Sequence, residues 1–301
     1  MLRRTFVKCA ATTAISISTG AGSLIAGVQS DDKTSSDSTT GRRKIRKSVK
    51  WRMVGAGKSV LEKFQIQKEL GYDGVEFVSP TEVNLEEVVA ASKETKMPVH
   101  GLVNMKHWQV RMSSPEVKQR EEAVKIMKQC IADCKKIGGE SVLLVPGVVK
   151  GENENHDLVW KRSIECIKQV LPTAEEAKVS ILIENVWNGF CKQPEELRDY
   201  IDEINHPLVQ VYFDIGNARK FAPSEKWVEI LGKRIKKLDV KGWSKADGFK
   251  SQIGDGDVDW PAVCKALDKI NYDGWCTAEV GGGGKERLKE IGGRLDKNLV
   301  D

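Results

Sequence analysis

From Lys50 onward, short runs rich in apolar and β-branched residues alternate with longer stretches in which apolar residues recur every three or four positions. The short runs predict strands at Trp51–Val54, Gly74–Val78, Val99–Val103 and Ser141–Val145, then at Ser180–Glu184, Val209–Asp214, Ile235–Val240 and Trp275–Val280. The longer stretches predict helices over Pro115–Ile137, His156–Lys178, Pro194–Ile204, Pro261–Ile270 and Lys285–Leu295. Proline stands near two of the helix starts, in Ser114-Pro115 and Trp260-Pro261, where its missing N–H costs nothing. The strand runs are apolar at nearly every position, as required when one face meets a barrel interior and the other a helix. Eight such units in ~250 residues predict an α/β fold, a (β/α)8 barrel forming a single domain over residues 50–301. An open doubly wound sheet would show a glycine-rich phosphate turn after its first strand. Gly55-Ala56-Gly57-Lys58-Ser59 lacks the leading glycine of such a turn, since Arg52 stands in its place.

The first fifty residues differ in character. Arg3-Arg4-Thr5-Phe6-Val7-Lys8 precedes a weakly apolar stretch, Ala10 to Gly27, that Thr, Ser and Gly dilute. The run resembles a twin-arginine export signal, and residues 1–30 are read as that signal. The resemblance implies an exported protein, periplasmic or extracellular, with any metal loaded before export. The stretch is too polar for a stable membrane span. Residues 31–49, rich in Ser, Thr and Asp and then in Arg and Lys, read as a flexible linker.

Composition narrows the function. A mean hydropathy of -0.39 excludes a polytopic membrane protein. Residues 1–50 hold ten of the 48 basic residues but three of the 43 acidic ones, so the chain from Trp51 on carries 38 against 40. That balance argues against a nucleic-acid partner. The six cysteines after Cys9 show no Cys-x-x-Cys spacing and read as buried free thiols.

Chemistry in a barrel of this kind sits at the C-terminal ends of the strands. There the fifth strand ends in Glu184-Asn185, the sixth in Asp214-Ile215-Gly216-Asn217, the seventh carries Asp239 and Lys241, and the eighth ends in Glu279. Side chains alternate along a strand, so Leu182 with Glu184, Tyr212 with Asp214, and Asp239 with Lys241 share a face. Any one of these acids could simply cap the following helix. Four of them near the barrel axis could not all stay ionised without a cation. Oxygen donors without histidine favour one divalent ion, Mg²⁺ or Mn²⁺.

With Ile183-Glu184-Asn185, Phe213-Asp214-Ile215-Gly216-Asn217, Gly254-Asp255-Gly256-Asp257-Val258-Asp259-Trp260, Ala278-Glu279-Val280 and Gly71-Tyr72-Asp73-Gly74-Val75-Glu76, the chain resembles the xylose-isomerase-like barrel superfamily. Its sugar phosphate isomerase/epimerase group, with the ketose 3-epimerases and hydroxypyruvate isomerases, is the nearest. The resemblance implies one metal ion held by Glu184, Asp214, the inward residue of strand seven and Glu279, with Glu184 and Glu279 as the acid/base pair. Two positions depart from that pattern: Asp239 stands where the group commonly has His on strand seven, and Asn217 replaces a substrate-binding His. Lys241, and less directly Lys245, would restore positive charge.

Other residues bid for the pocket. His100 would contact substrate if it shares the inward face with Pro98, and Glu76 could bind a hydroxyl. Trp108, beside His107, and Trp187 suit the apolar faces of a sugar, though loop tryptophans also merely close a barrel mouth. Asp255, Asp257 and Asp259 lack the closing Glu of a calcium loop, because Ala266 falls there, and read as a turn and helix cap. The leading expectation is a metal-dependent sugar isomerase or epimerase acting on a small ketose or oxidised sugar. A lyase or hydratase on a keto-sugar and a non-catalytic carbohydrate-binding barrel stay open, as does assembly into a homo-oligomer. Metal-dependent nucleic-acid cleavage would need a histidine-rich cluster that four histidines in the chain do not supply.

Overall fold

A computed structural model describes residues 43–301. The expected export signal and the first part of the expected linker lie outside the described residues. Eight parallel strands close into a barrel in chain order, with the last strand pairing with the first. They are β1 Arg46–Lys50, β2 Gly74–Ser79, β3 Val99–Asn104, β4 Ser141–Leu144, β5 Ser180–Glu184, β6 Val209–Asp214, β7 Ile235–Val240 and β8 Trp275–Ala278. Around them lie α1 Val60–Glu69, α2 Leu85–Thr95, α3 Val117–Lys136, α4 His156–Ala177, α5 Pro194–Ile204, α6 Ile215–Arg219, α7 Ser224–Leu231, α8 Trp260–Lys269 and α9 Lys285–Leu295. The (β/α)8 expectation is met.

The first strand is the main correction. It occupies Arg46–Lys50, inside the stretch read as linker, and pairs Ser48, Val49 and Lys50 with Gly74, Val75 and Glu76. Trp51–Met53, expected to be strand, forms one 3-10 turn. Trp51 is apolar because it plugs the space beside the barrel, its ring centroid 4.8 Å from that of Phe77 and 5.9 Å from that of Phe64. β1 itself is polar because its inward residues meet other polar groups.

Helix boundaries follow local chemistry. Ser59 caps α1 by accepting from the Glu62 N–H, Asn155 caps α4, and Gln193 with Glu196 forms a reciprocal capping box on α5. Asp259 accepts from the Ala262 N–H at 3.0 Å and caps α8, the role expected for it. α3 starts two residues after Pro115, at Val117. Between helices and barrel lies the main core, to which Phe64, Val88, Met127, Ile167, Trp227 and Leu288 each contribute a fully buried side chain. The six described cysteines are buried and unpaired. No helix among the described residues is long and apolar enough to cross a membrane.

Candidate active site

The barrel interior is stacked in layers, as alternation along eight tilted strands requires. At the N-terminal end, Ser48 Oγ lies 2.8 Å from His100 Nε2 and 2.9 Å from Thr277 Oγ1. Lys237 Nζ lies 2.8 Å from His100 Nδ1 and donates to the His100 carbonyl at 2.6 Å, while Trp275 stacks on the imidazole at 4.2 Å. Above these, Leu143, Leu182 and Tyr212 fill the middle. The acids come next.

Glu184 closes β5, Asp214 closes β6, Asp239 lies on β7 and Glu279 follows β8. One oxygen from each falls in a set whose members lie within 4.8 Å of one another. Asp214 and Asp239 are fully buried, whereas Glu184 and Glu279 reach a cavity of about 440 Å³ at the barrel mouth. Two lysines thread the acids. Lys50 Nζ lies 2.7 Å from Asp239 Oδ2, 3.0 Å from Glu76 Oε2 and 3.5 Å from Glu279 Oε1. Lys241 Nζ lies 2.7 Å from Asp214 Oδ2 and 2.5 Å from Glu279 Oε2.

Burial disfavours the charged form of a carboxyl and an adjacent ammonium favours it. Burial, with Glu279 nearby, pushes the Glu184 carboxyl well above the usual range, and burial does the same to Asp239. Asp214 is raised by burial, less so because Lys241 opposes it. For Glu279 burial is outweighed by Lys50 and Lys241, which bring it down to about 2. The two lysines remain charged, since their carboxylate neighbours overcome burial and raise both.

Asp214 has a second task. Its Oδ1 accepts from the Asn217 N–H at 2.8 Å and so caps α6, while its Oδ2 accepts from Asn217 Nδ2 at 2.6 Å. Asn185 fixes the backbone there, accepting from the Asp214 N–H at 2.7 Å. Asn217 therefore anchors Asp214 as well as lining the cavity. Trp187 donates from Nε1 to the Asn217 carbonyl at 2.9 Å. Trp187, Trp108 and Lys241 all line the cavity.

Two expected substrate contacts lie elsewhere. His100 is the second residue of β3, at the opposite end of the barrel from the mouth, and both of its nitrogens are bonded to interior groups. A register shift after Val75, where β2 meets β3, goes with that placement. Glu76 is buried beneath the mouth, accepting from the Tyr212 hydroxyl at 2.7 Å and pairing with Lys50, so it supports the acids from below. Lys50, Arg52, Asn104 and Phe249 line the cavity without having been singled out from sequence. His107, not His100, is the cavity histidine: its Nδ1 accepts from the Val145 N–H at 3.2 Å, and burial lowers it to about 3.

The four acids suit a divalent ion. Mg²⁺ binds oxygen at about 2.0–2.1 Å, so donors across an octahedron lie roughly 4 Å apart. A 4.8 Å carboxylate set needs little adjustment to meet that. Asp239 Oδ1 is buried without a hydrogen-bond partner among the described residues, and Oδ2 faces the Lys50 ammonium at 2.7 Å. Lone pairs left open in the interior are costly, and an ion would use them.

Fold and site together define a class: a closed (β/α)8 barrel with carboxylates from β5 to β8 gathered under one cavity. The chain belongs to the xylose isomerase-like TIM barrel family, which it matches over residues 64–295. Its relatives include sugar epimerases. The L-ribulose-5-phosphate 3-epimerase UlaE of Escherichia coli (strain K12 / DH10B) is 25% identical over 234 residues, 73% of this chain and 81% of that protein. Among solved structures, the 3-keto-D-glucoside 4-epimerase YcjR from E. coli superposes with a TM-score of 0.73 at 18% identity, over 83% of this chain and 97% of that one. An L-ribulose 3-epimerase superposes with a TM-score of 0.73 at 17% identity, over 85% and 94%.

Proposed function

We propose that the protein is a divalent-metal-dependent sugar epimerase or isomerase, acting on a small ketose or oxidised sugar by moving a proton at the carbon beside a carbonyl. The observation that carries this reading is the convergence of Glu184, Asp214, Asp239 and Glu279 in one 4.8 Å set under a cavity, in a chain whose relatives are sugar epimerases. An ion held by these carboxylates, Mg²⁺ or Mn²⁺ by the hardness of the donors, supplies polarisation of the substrate carbonyl and its neighbouring hydroxyl.

The remaining work falls to the chain. Glu184 and Glu279 are the set's members that reach the cavity, from strands three places apart around the barrel. One removes the proton and the other returns it, so the stereochemistry follows from which face each addresses. Asn217 and Lys241 hold hydroxyl or carbonyl oxygens. Trp108 and Trp187, 43% and 38% exposed at the mouth, cover the apolar face of the ring and keep water from the reacting carbon. Export through the signal-like N-terminus places the enzyme in the periplasm or outside the cell, where free or oxidised sugars are the available class.

The test is proton exchange. Purified protein supplied with Mn²⁺ is incubated in heavy water with a panel of ketoses and 3-keto sugars, and deuterium uptake is followed by NMR. Uptake at one carbon next to the carbonyl, lost in both Glu184→Gln and Glu279→Gln, is the expected result. Uptake that persists in both variants would overturn the assignment of the pair.

A further inference from the structure

The least explained group in the interior is Lys50. It enters on the polar first strand, two residues beyond Ser48 and hence on the same inward face. Register places it opposite Glu76, and its ammonium extends past that partner to Asp239 and Glu279. The side chain is 11% exposed, and Asp239 is wholly enclosed. Lys50 Nζ is the one cation among the described residues paired with Asp239, and it lies on the cavity wall. Asp214 is paired with Lys241 in a similar way but also accepts two hydrogen bonds from Asn217, and Glu184 has no ion-pair partner among the described residues.

We propose that Lys50 is a resident counter-cation of the carboxylate centre, occupying oxygens of Asp239 and Glu279 that a divalent ion would otherwise take, and so setting how tightly that ion binds. The inference rests on the reading of the centre as a divalent-ion site. Its physical basis is competition for the same lone pairs, together with repulsion between a fixed ammonium and a doubly charged ion a few ångströms away in a poorly screened interior. A centre built this way releases its metal more readily than four free carboxylates would. It also keeps Asp239 compensated when no ion is bound, which a buried carboxylate requires.

The experiment is a calorimetric titration with Mn²⁺ of the full-length chain after chelation, comparing wild type with Lys50→Met. Removing a buried ammonium leaves Glu76 and Asp239 uncompensated and could prevent folding. The double variant Lys50→Met/Glu76→Gln loses one charge of each sign, leaves all four candidate ligands in place and retains an amide oxygen for the Tyr212 hydroxyl. Either folded variant should bind Mn²⁺ about tenfold more tightly than wild type. A gain below about threefold, a loss, or no binding by wild type and variants alike would overturn the proposal. If the variants bind and wild type does not, the role of Lys50 stands while the metal-dependent function falls. Equal binding in all proteins does the reverse.

Discussion

The two ends of the barrel interior are both polar and both buried, yet they are satisfied in opposite ways. At the N-terminal end Ser48, His100, Lys237 and Thr277 form a closed network, in which each nitrogen of the imidazole has a partner within 2.8 Å. At the C-terminal end five carboxylates face two ammonium groups, and Asp239 Oδ1 has no hydrogen-bond partner among the described residues. A folded chain tolerates a buried polar network that is complete, because it then costs little more than an apolar core. It keeps an incomplete one where a ligand is to complete it. The lower network reads as structure and the upper one as chemistry, and substitutions in the two should fail by different routes.

The largest effect belongs to the upper end. Glu279→Gln and Glu184→Gln should each lower epimerisation on the order of 10²–10⁴-fold, since a positioned acid or base contributes about that much, and Glu184→Gln, which breaks no ion pair among the described residues, should barely move the unfolding midpoint in urea. A comparable loss of rate and of stability together in Glu184→Gln would mean that this glutamate is scaffold. Next in size is the effect of metal on stability. At a concentration about 100 times its dissociation constant, Mn²⁺ should stabilise the wild type by about 2.7 kcal/mol. Asp214→Asn retains an acceptor for the α6 cap but loses a ligand charge, and should show almost none of that gain. Equal stabilisation of both proteins would place the ion elsewhere.

The lower end should behave in the reverse manner. His100→Leu strands the Lys237 ammonium and the Ser48 hydroxyl, and should cost about 1–3 kcal/mol in urea unfolding, with Mn²⁺ affinity unchanged. Were metal affinity to fall while stability held, the separation of the two ends would be wrong.

The sequence shows one end of this interior far better than the other. β5 and β6 are largely apolar runs that stop at a carboxylate, β8 stops just before one and β7 carries Asp239 next to its last residue, so the acids stand out, and alternation places Glu184 above Leu182 and Asp214 above Tyr212. β1 has no such run. Val49 is its buried apolar residue, with Ile45 just before it, and the inward positions Ser48 and Lys50 resemble the basic stretch before them. Hydrophobic periodicity cannot find a strand whose inner face is polar, and it points instead to Trp51, whose ring packs outside the sheet. Lys50 is hidden together with β1, because a lysine in a linker faces water. One signal was present: the Lys50 and Glu76 charges fall opposite each other once β1 and β2 are set in register. His100 is the complementary case: it does face inward, but the strand pattern Val99–Val103 already sets it at the strand's start, where an inward side chain meets the interior network and not the mouth.

The smallest effect concerns the two histidines nearest the interior, of which only His107 borders the cavity. Burial lowers its imidazole to about 3, against an ordinary value of about 6.5, so it is neutral in the folded protein at neutral pH. The unfolded chain takes up this proton at higher pH than the folded one. The contribution to stability is therefore constant above about pH 6.5 and is lost progressively as pH falls toward 3. His107→Asn keeps an acceptor where Nδ1 receives the Val145 N–H and removes the titration. Its stability should decline less steeply than that of wild type between about pH 6 and 4, with little difference at pH 8. Other groups titrate in that window in both proteins, so the difference between the two curves is the quantity to measure. If the curves run parallel, His107 takes up its proton without opening the fold, and the wall of the cavity is wetter than its burial implies.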